Sequence, residues 1–97
     1  MVRFAIYVEK GDVVGDGRGK PYREFVVSYQ KIRRSSDLGL GTTKHSSTGS
    51  KTVAIREARK LARKLSKEGY VTIRVSDCGK PHNGTYAYAE GKFWREA

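Results

Sequence analysis

Basic residues recur at helical spacing between Ser50 and Gly69, and their types suit them to contact an acidic partner. When the segment is plotted at 100° per residue, six cations fall within an arc of about 140°. These six residues are Arg56, Arg59, Lys60, Arg63, Lys64 and Lys67. The opposite arc, of about 120°, holds small and aliphatic residues: Ala54, Ile55, Ala58, Leu61, Ala62 and Leu65. Cations spread over three turns can follow a phosphate backbone, so the pattern predicts a nucleic-acid-binding helix face.

The signs of these charges indicate that the helix face binds a partner and is not merely exposed to solvent. A helix face that is only solvated usually mixes Glu with Lys at i, i+4 spacing. Here the i, i+4 runs Arg56–Lys60–Lys64 and Arg59–Arg63–Lys67 contain one sign of charge, which destabilises a helix slightly. The net charge is +10, from 20 Lys and Arg against 10 Asp and Glu. Arg33 and Arg34, at the end of the second predicted strand, add to the predicted binding surface.

Aromatic residues are the second feature that could bind a partner. The chain has six tyrosines, three phenylalanines and one tryptophan. Tyr7 alternates with Phe4 and Ile6 on the first strand, while Tyr86 and Tyr88 share a face of a later strand. If these tyrosines line an uncovered side of the sheet, they form a stacking surface for unpaired bases. The alternative is that they favour strand formation and shield one another.

Metal binding and catalysis have weaker support. Cys78 and His82 lack the four-ligand pattern of structural zinc sites, so we predict neither a metal nor a cofactor. The glycines of Gly15–Pro21 precede no helix, so they do not form a phosphate-binding loop. A small ribonuclease using His45 or His82 is conceivable, because imidazole titrates near neutral pH. Since no catalytic motif supports it, we predict a non-enzymatic protein.

Hydrophobic periodicity predicts the elements that position these residues. The segments "VRFAIYVE", "YREFVVSYQKI" and "YVTIRVSD" alternate as half-buried strands, and "TYAYAEGKFW" is typical of a short terminal hairpin. Residues 35–50 contain eleven Ser, Thr or Gly among sixteen, which predicts a flexible loop. The helix follows, with Ser50 or Thr52 as its N-cap and Gly69 at the C′ position.

These elements predict one α+β domain spanning residues 1–97. We expect an antiparallel sheet of four to five strands in the order β-β-α-β-β, with the helix packed on one face. The other face would be solvated, would pair with a second copy as a homodimer, or would bind a partner. The predicted core residues are Val2, Phe4, Ile6, Val8, Phe25, Val27, Ile55, Ala58, Leu61, Ala62, Leu65, Val71, Ile73 and Val75.

The second half of the chain adds a resemblance. "KTVAIREARKLARKLSKEGYVTIRV", followed by "AYAEGKFW", resembles small ββαββ proteins common in phages and mobile elements. The resemblance implies an alternative function, as a protein interaction or inhibitor module that docks on the acidic surface of a partner. The lone Cys78 and the lack of a signal-peptide pattern favour the cytoplasm. No apolar run approaches 18 residues, so we expect no membrane partner.

Overall fold

The computed structural model describes residues 2–15, 19, 21–34, 41–89 and 91–96. Six strands form one sheet in the order β3-β2-β1-β4-β5-β6, and one helix lies between the third and fourth strands along the chain. The elements are β1 (Arg3–Val14), β2 (Tyr22–Ile32), β3 (Thr43–Thr48), α1 (Lys51–Leu65), β4 (Tyr70–Val75), β5 (Gly84–Ala89) and β6 (Lys92–Glu96). The predicted α+β class is therefore confirmed.

The predicted sheet is wrong in the number of its strands and in one direction. There are six described strands, and β4 runs parallel to β1, with Phe4 opposite Val71. The other four pairs of neighbouring strands are antiparallel. The parallel pair follows from the helical crossover, because α1 carries the chain back about 22 Å to the end of the sheet where β1 starts. Alternating hydrophobicity predicts a strand but not its neighbour.

The predicted flexible loop at 35–50 contains a strand. Residues 35–40 lie outside the described residues, but Thr43–Thr48 forms β3 at the edge of the sheet. Glu24 on β2 anchors it, since the Ser47 hydroxyl donates to this carboxylate and the Lys44 ammonium lies 3.5 Å from it. The hydrogen bond from Ser47, with the charge of Lys44, lowers the pKa of Glu24. Polar cross-strand contacts thus replace the apolar pattern that would have predicted this strand.

The predicted start of the helix is confirmed, and its predicted end is wrong. The Ser50 hydroxyl accepts a hydrogen bond from the Val53 backbone N–H at 3.4 Å, as an N-cap does. The last helical residue is Leu65, and Ser66 caps the helix. Gly69 comes after a further turn and serves a different purpose, because a Cβ there would lie 2.2 Å from the Val2 carbonyl oxygen.

The core lies between α1 and one face of the sheet. Eleven of the fourteen predicted core residues are buried, while Val2, Phe25 and Ile55 pack half-buried at its margin. Ala54, Cys78 and Tyr88 complete the buried cluster. Within the described part of the chain, no helix is long and apolar enough to cross a membrane. The opposite face of the sheet, which we call the open face, has none of the described helical residues packed on it.

Candidate nucleic-acid interface

The six cations predicted from the helical pattern lie together on the surface. All six are exposed, and we call them the cationic ridge: Arg56, Arg59, Lys60, Arg63, Lys64 and Lys67. Five belong to α1, whose buried side chains are on the opposite side of the helix. Lys67 follows the last helical residue, Leu65, and extends the ridge into the turn after the helix.

The cations of the ridge differ in the contacts that they make. Among the described residues, its one ion pair joins Lys60 to Glu57, with 3.7 Å between nitrogen and oxygen. Arg59 and Arg63 lie over the ring of Phe93 on β6, with their guanidinium carbons 5.0 and 5.9 Å from its centroid. Stacking on an aromatic ring orients these two arginines, leaving their outer N–H groups to meet an anion.

Arg33 and Arg34 lie at the end of the sheet where the helix finishes. They follow β2 directly and are exposed. The last residue of β2, Ile32, pairs with Arg3 on β1, which in turn pairs with Tyr70, the first residue of β4. Since β4 starts shortly after the helix ends, the two arginines and the C-terminal half of the ridge share this end of the molecule.

Two of the three tyrosines predicted to stack are on the wrong face for that role. Tyr86 and Tyr88 pair with Ile73 and Val71, so they point to the side covered by the helix. Tyr88 is buried against Phe93, with ring centroids 4.5 Å apart. The prediction failed because the facing direction of β5 depends on its register with β4. Tyr7 lies on the open face as predicted, and it is half-buried.

Two exposed aromatics on the open face were missed from the sequence. Tyr70 and Trp94 are 36% and 44% exposed. The alternation of β4 could have located Tyr70, because Val71, Ile73 and Val75 point inward and their neighbours must point outward. Trp94 pairs with Ala87, and the register of the terminal hairpin was needed to place it.

A small cavity lies beside the ridge, between α1 and the β4–β5 turn. Its volume is about 90 Å³, and Arg59 and His82 contribute to its lining together with apolar residues. Typical ligand pockets begin at roughly 300 Å³, so this cavity is small for a nucleotide. Arg95 fixes the nearby turn by donating hydrogen bonds to the Tyr86 hydroxyl at 2.9 Å and the Asn83 carbonyl at 2.8 Å.

The two histidines do not form one catalytic site. His45 lies in the edge strand β3, whereas His82 precedes β5, and three strands separate these two elements. At about 4.8 Å per strand this is a separation of roughly 19 Å, too far for an acid–base pair. Burial raises the pKa of the Cys78 thiol, which favours its protonated form. The part of the chain that the structure describes contains no cluster of three or more His, Cys, Asp or Glu suited to a metal ion.

Known proteins give no guide to the role of this surface. No protein-family model, curated protein or solved structure matches the chain. The function must therefore be inferred from the charges, contacts and exposure of the described residues. The cationic ridge brings six exposed cations together on one surface.

Proposed function

We propose that this protein binds nucleic acid, without catalysing a reaction, through phosphate contacts made by the cationic ridge. The observation that carries the proposal is the exposure of six cations on one surface, of which Lys60 alone forms an ion pair with a described residue, Glu57. Arg33 and Arg34, at the same end of the sheet, extend this surface. A polyanion neutralises such a surface, whereas water alone leaves its like charges repelling one another.

The dimensions of the ridge suit a short stretch of phosphate backbone. The eight-residue step from Arg56 to Lys64 spans about 12 Å along the helix axis. One DNA strand carries a phosphate every 3.4 Å of duplex axis, so the ridge can contact about three phosphates. The logarithm of the binding constant should then fall by about three for each tenfold rise in salt. Between 50 and 200 mM salt, this predicts a loss of roughly 60-fold in affinity.

Arg56 and Lys64 are the best positions at which to test the ridge. Neither residue forms an ion pair or a ring contact with a described residue, whereas Arg59 and Arg63 also pack on Phe93. We expect Arg56→Glu combined with Lys64→Glu to lower affinity for labelled DNA or RNA at least tenfold at 50 mM salt. Fluorescence anisotropy measures this change for single strands and duplexes alike.

A matched control separates the ridge from net charge. Lys10→Glu combined with Lys80→Glu changes the net charge equally, at exposed positions outside the ridge. This control should lose much less affinity than the ridge variant and have a smaller effect on the salt dependence. Equal losses in the two variants would show that total charge, rather than the ridge, determines binding. Absence of binding by the unaltered protein at 50 mM salt would refute the proposed function.

The alternative partner is an acidic protein surface, such as that of a nucleic-acid enzyme. The contacts of Arg59 and Arg63 with Phe93 are compatible with this alternative, because arginines already held in place lose less entropy when they meet carboxylates, as they do when they meet phosphates. Capture of partners from a lysate, with and without nuclease, distinguishes the two. A partner that remains after digestion and is lost with the ridge variant supports the protein-binding alternative.

A further inference from the structure

The open face of the sheet has a floor of small side chains. Ala5, Thr72 and Ala87 occupy adjacent positions on β1, β4 and β5, as their pairing shows. Trp94 continues this line on β6, opposite Ala87. Four strands at about 4.8 Å spacing make the line roughly 14 Å long, perpendicular to the strands. Larger side chains flank the line on β1 and β4, namely Arg3, Tyr7, Tyr70 and Arg74, so it forms a shallow trough that Trp94 closes at the β6 edge.

Tyr70 lies across this trough as a flat surface. Its hydroxyl donates a hydrogen bond to the Glu96 carboxylate at 3.1 Å. Tyr70 starts β4 while Glu96 ends β6, so the side chains meet on a diagonal that passes over Ala87 on β5. Ala87 is fully buried, although α1 packs on the other face. The Tyr70 side chain therefore crosses the position of Ala87 on its way to Glu96, and it stays 36% exposed.

Trp94 provides a second ring beside Tyr70. It lies next to Ala87 across the β5–β6 pairing and is 44% exposed. In the described part of the chain, the two aromatic rings that pack closely together are those of Tyr88 and Phe93, on the other face. Tyr70 and Trp94 therefore have no ring of the described residues packed closely on them. Two exposed rings on neighbouring parts of a sheet are the arrangement on which unpaired bases stack.

Cations surround the two rings. Arg3 is adjacent to Tyr70 on β1, Arg74 lies four residues further along β4, and Lys92 is two residues before Trp94 on β6. All three are exposed. Among the described acidic residues, Glu96 contacts Tyr70, and this hydrogen bond holds one ring in place. The arrangement matches a ligand that has flat apolar groups joined by negative charges.

We infer that the open face binds single-stranded nucleic acid, with bases stacked on Tyr70 and Trp94 and phosphates held by Arg3, Arg74 and Lys92. This inference deepens the proposed function and rests on it in part, because it specifies the kind of nucleic acid bound. A duplex keeps its bases stacked internally and presents no free base face to these rings. A second copy of the chain fits this surface less well, because the same three cations would face one another across a symmetric interface.

Trp94 gives a direct test, since it is the only tryptophan of the chain. We expect its fluorescence to be quenched when oligothymidylate or oligouridylate of about ten nucleotides is added, and to change little with a duplex of equal length. Trp94→Leu and Tyr70→Leu should each lower single-strand affinity about tenfold and leave duplex affinity within about twofold. Tyr22→Leu is the control, because Tyr22 is an exposed ring, at 51%, at the far end of the sheet.

The outcomes separate this inference from the proposed function. If Arg56→Glu with Lys64→Glu weakens binding while the two ring variants do not, the ridge binds and the open-face inference is wrong. If the ring variants weaken single-strand binding and the ridge variant does not, the open face binds and the ridge proposal is wrong. Unquenched fluorescence on saturation with single strands contradicts the inference without any variant. A homodimer in sedimentation experiments that dissociates in Trp94→Leu would also overturn it.

Discussion

At the scale of single residues, Gly69 shows how close backbone contact restricts the sequence. Its position is set by the start of β4, where the Tyr70 N–H donates to the Val2 carbonyl at 3.2 Å. A Cβ at residue 69 would lie 2.2 Å from that same carbonyl oxygen, and backbone cannot rotate away as a flexible side chain can. The contact between the end of the helical segment and the start of β1 thus requires glycine.

We therefore predict that Gly69→Ala destabilises the protein by about 2 kcal/mol or more, since β1 and β4 must separate locally to admit the methyl group. Urea unfolding followed by circular dichroism measures the change in the free energy of unfolding. Gly19→Ala is the matched control, because a Cβ there meets nothing within 4 Å, and it should change stability by less than about 0.5 kcal/mol. Equal stability of the two variants would contradict the predicted clash.

At the scale of elements, α1 combines a stabilising face with a surface that opposes its own stability. The buried side holds Ala54, Ala58, Leu61, Ala62 and Leu65, and the helix has no acidic residue in its first turn. Negative charge near the N-terminus would favour the helix dipole, and alternating signs would favour i, i+4 pairing. The ridge has neither, apart from the contact of Lys60 with Glu57.

Because the ridge opposes the stability of the helix, replacing one of its cations should have opposite effects on fold stability and on nucleic-acid binding. Arg56→Glu places Glu four residues before Lys60, the favourable orientation for a helical ion pair, and should stabilise the fold by about 0.3–0.5 kcal/mol. The same change should weaken nucleic-acid binding several-fold, because it removes a cation from the ridge. Chemical unfolding and anisotropy titration measure the two effects. Arg56→Gln, which only removes charge, should have a stability and an affinity between those of the unaltered protein and Arg56→Glu. If Arg56→Glu lost both stability and affinity, that result would contradict the expected trade-off.

The elements also show which features could be predicted from the sequence. The helix and its exposed cations follow from local periodicity, and so does the core face of β1 and β4. The parallel pairing of β1 with β4 and the edge strand β3 depend on contacts between distant residues, such as Ser47 with Glu24. For the same reason the sequence left the face of Tyr86 and Tyr88 open, and it did not reveal Tyr70 and Trp94.

At the scale of the whole molecule, charge repulsion and size together determine how salt acts. The chain has a net charge of +10, and the molecule measures 48 × 27 × 22 Å. At 0.01 M salt the screening length is about 30 Å, longer than two of these dimensions, so nearly every cation repels the others. At 0.1 M the screening length is about 10 Å, and repulsion is then confined to near neighbours such as those within the ridge.

Salt should therefore stabilise the free protein while it weakens binding to nucleic acid. Screening relieves the self-repulsion of the folded state, so we expect the melting temperature to rise by about 4 °C or more between 10 and 150 mM sodium chloride. Over the same range of salt, the affinity for nucleic acid should fall, because the counterions displaced from the phosphates gain less entropy when they enter a more concentrated salt solution. Arg56→Glu with Lys64→Glu should make both the melting temperature and the affinity less sensitive to salt, because it lowers the net charge of the protein and the density of positive charge on the ridge. Differential scanning calorimetry checks the first effect, and a melting temperature that falls with salt would show that attractive ion pairs, rather than repulsion, dominate the electrostatics of this fold.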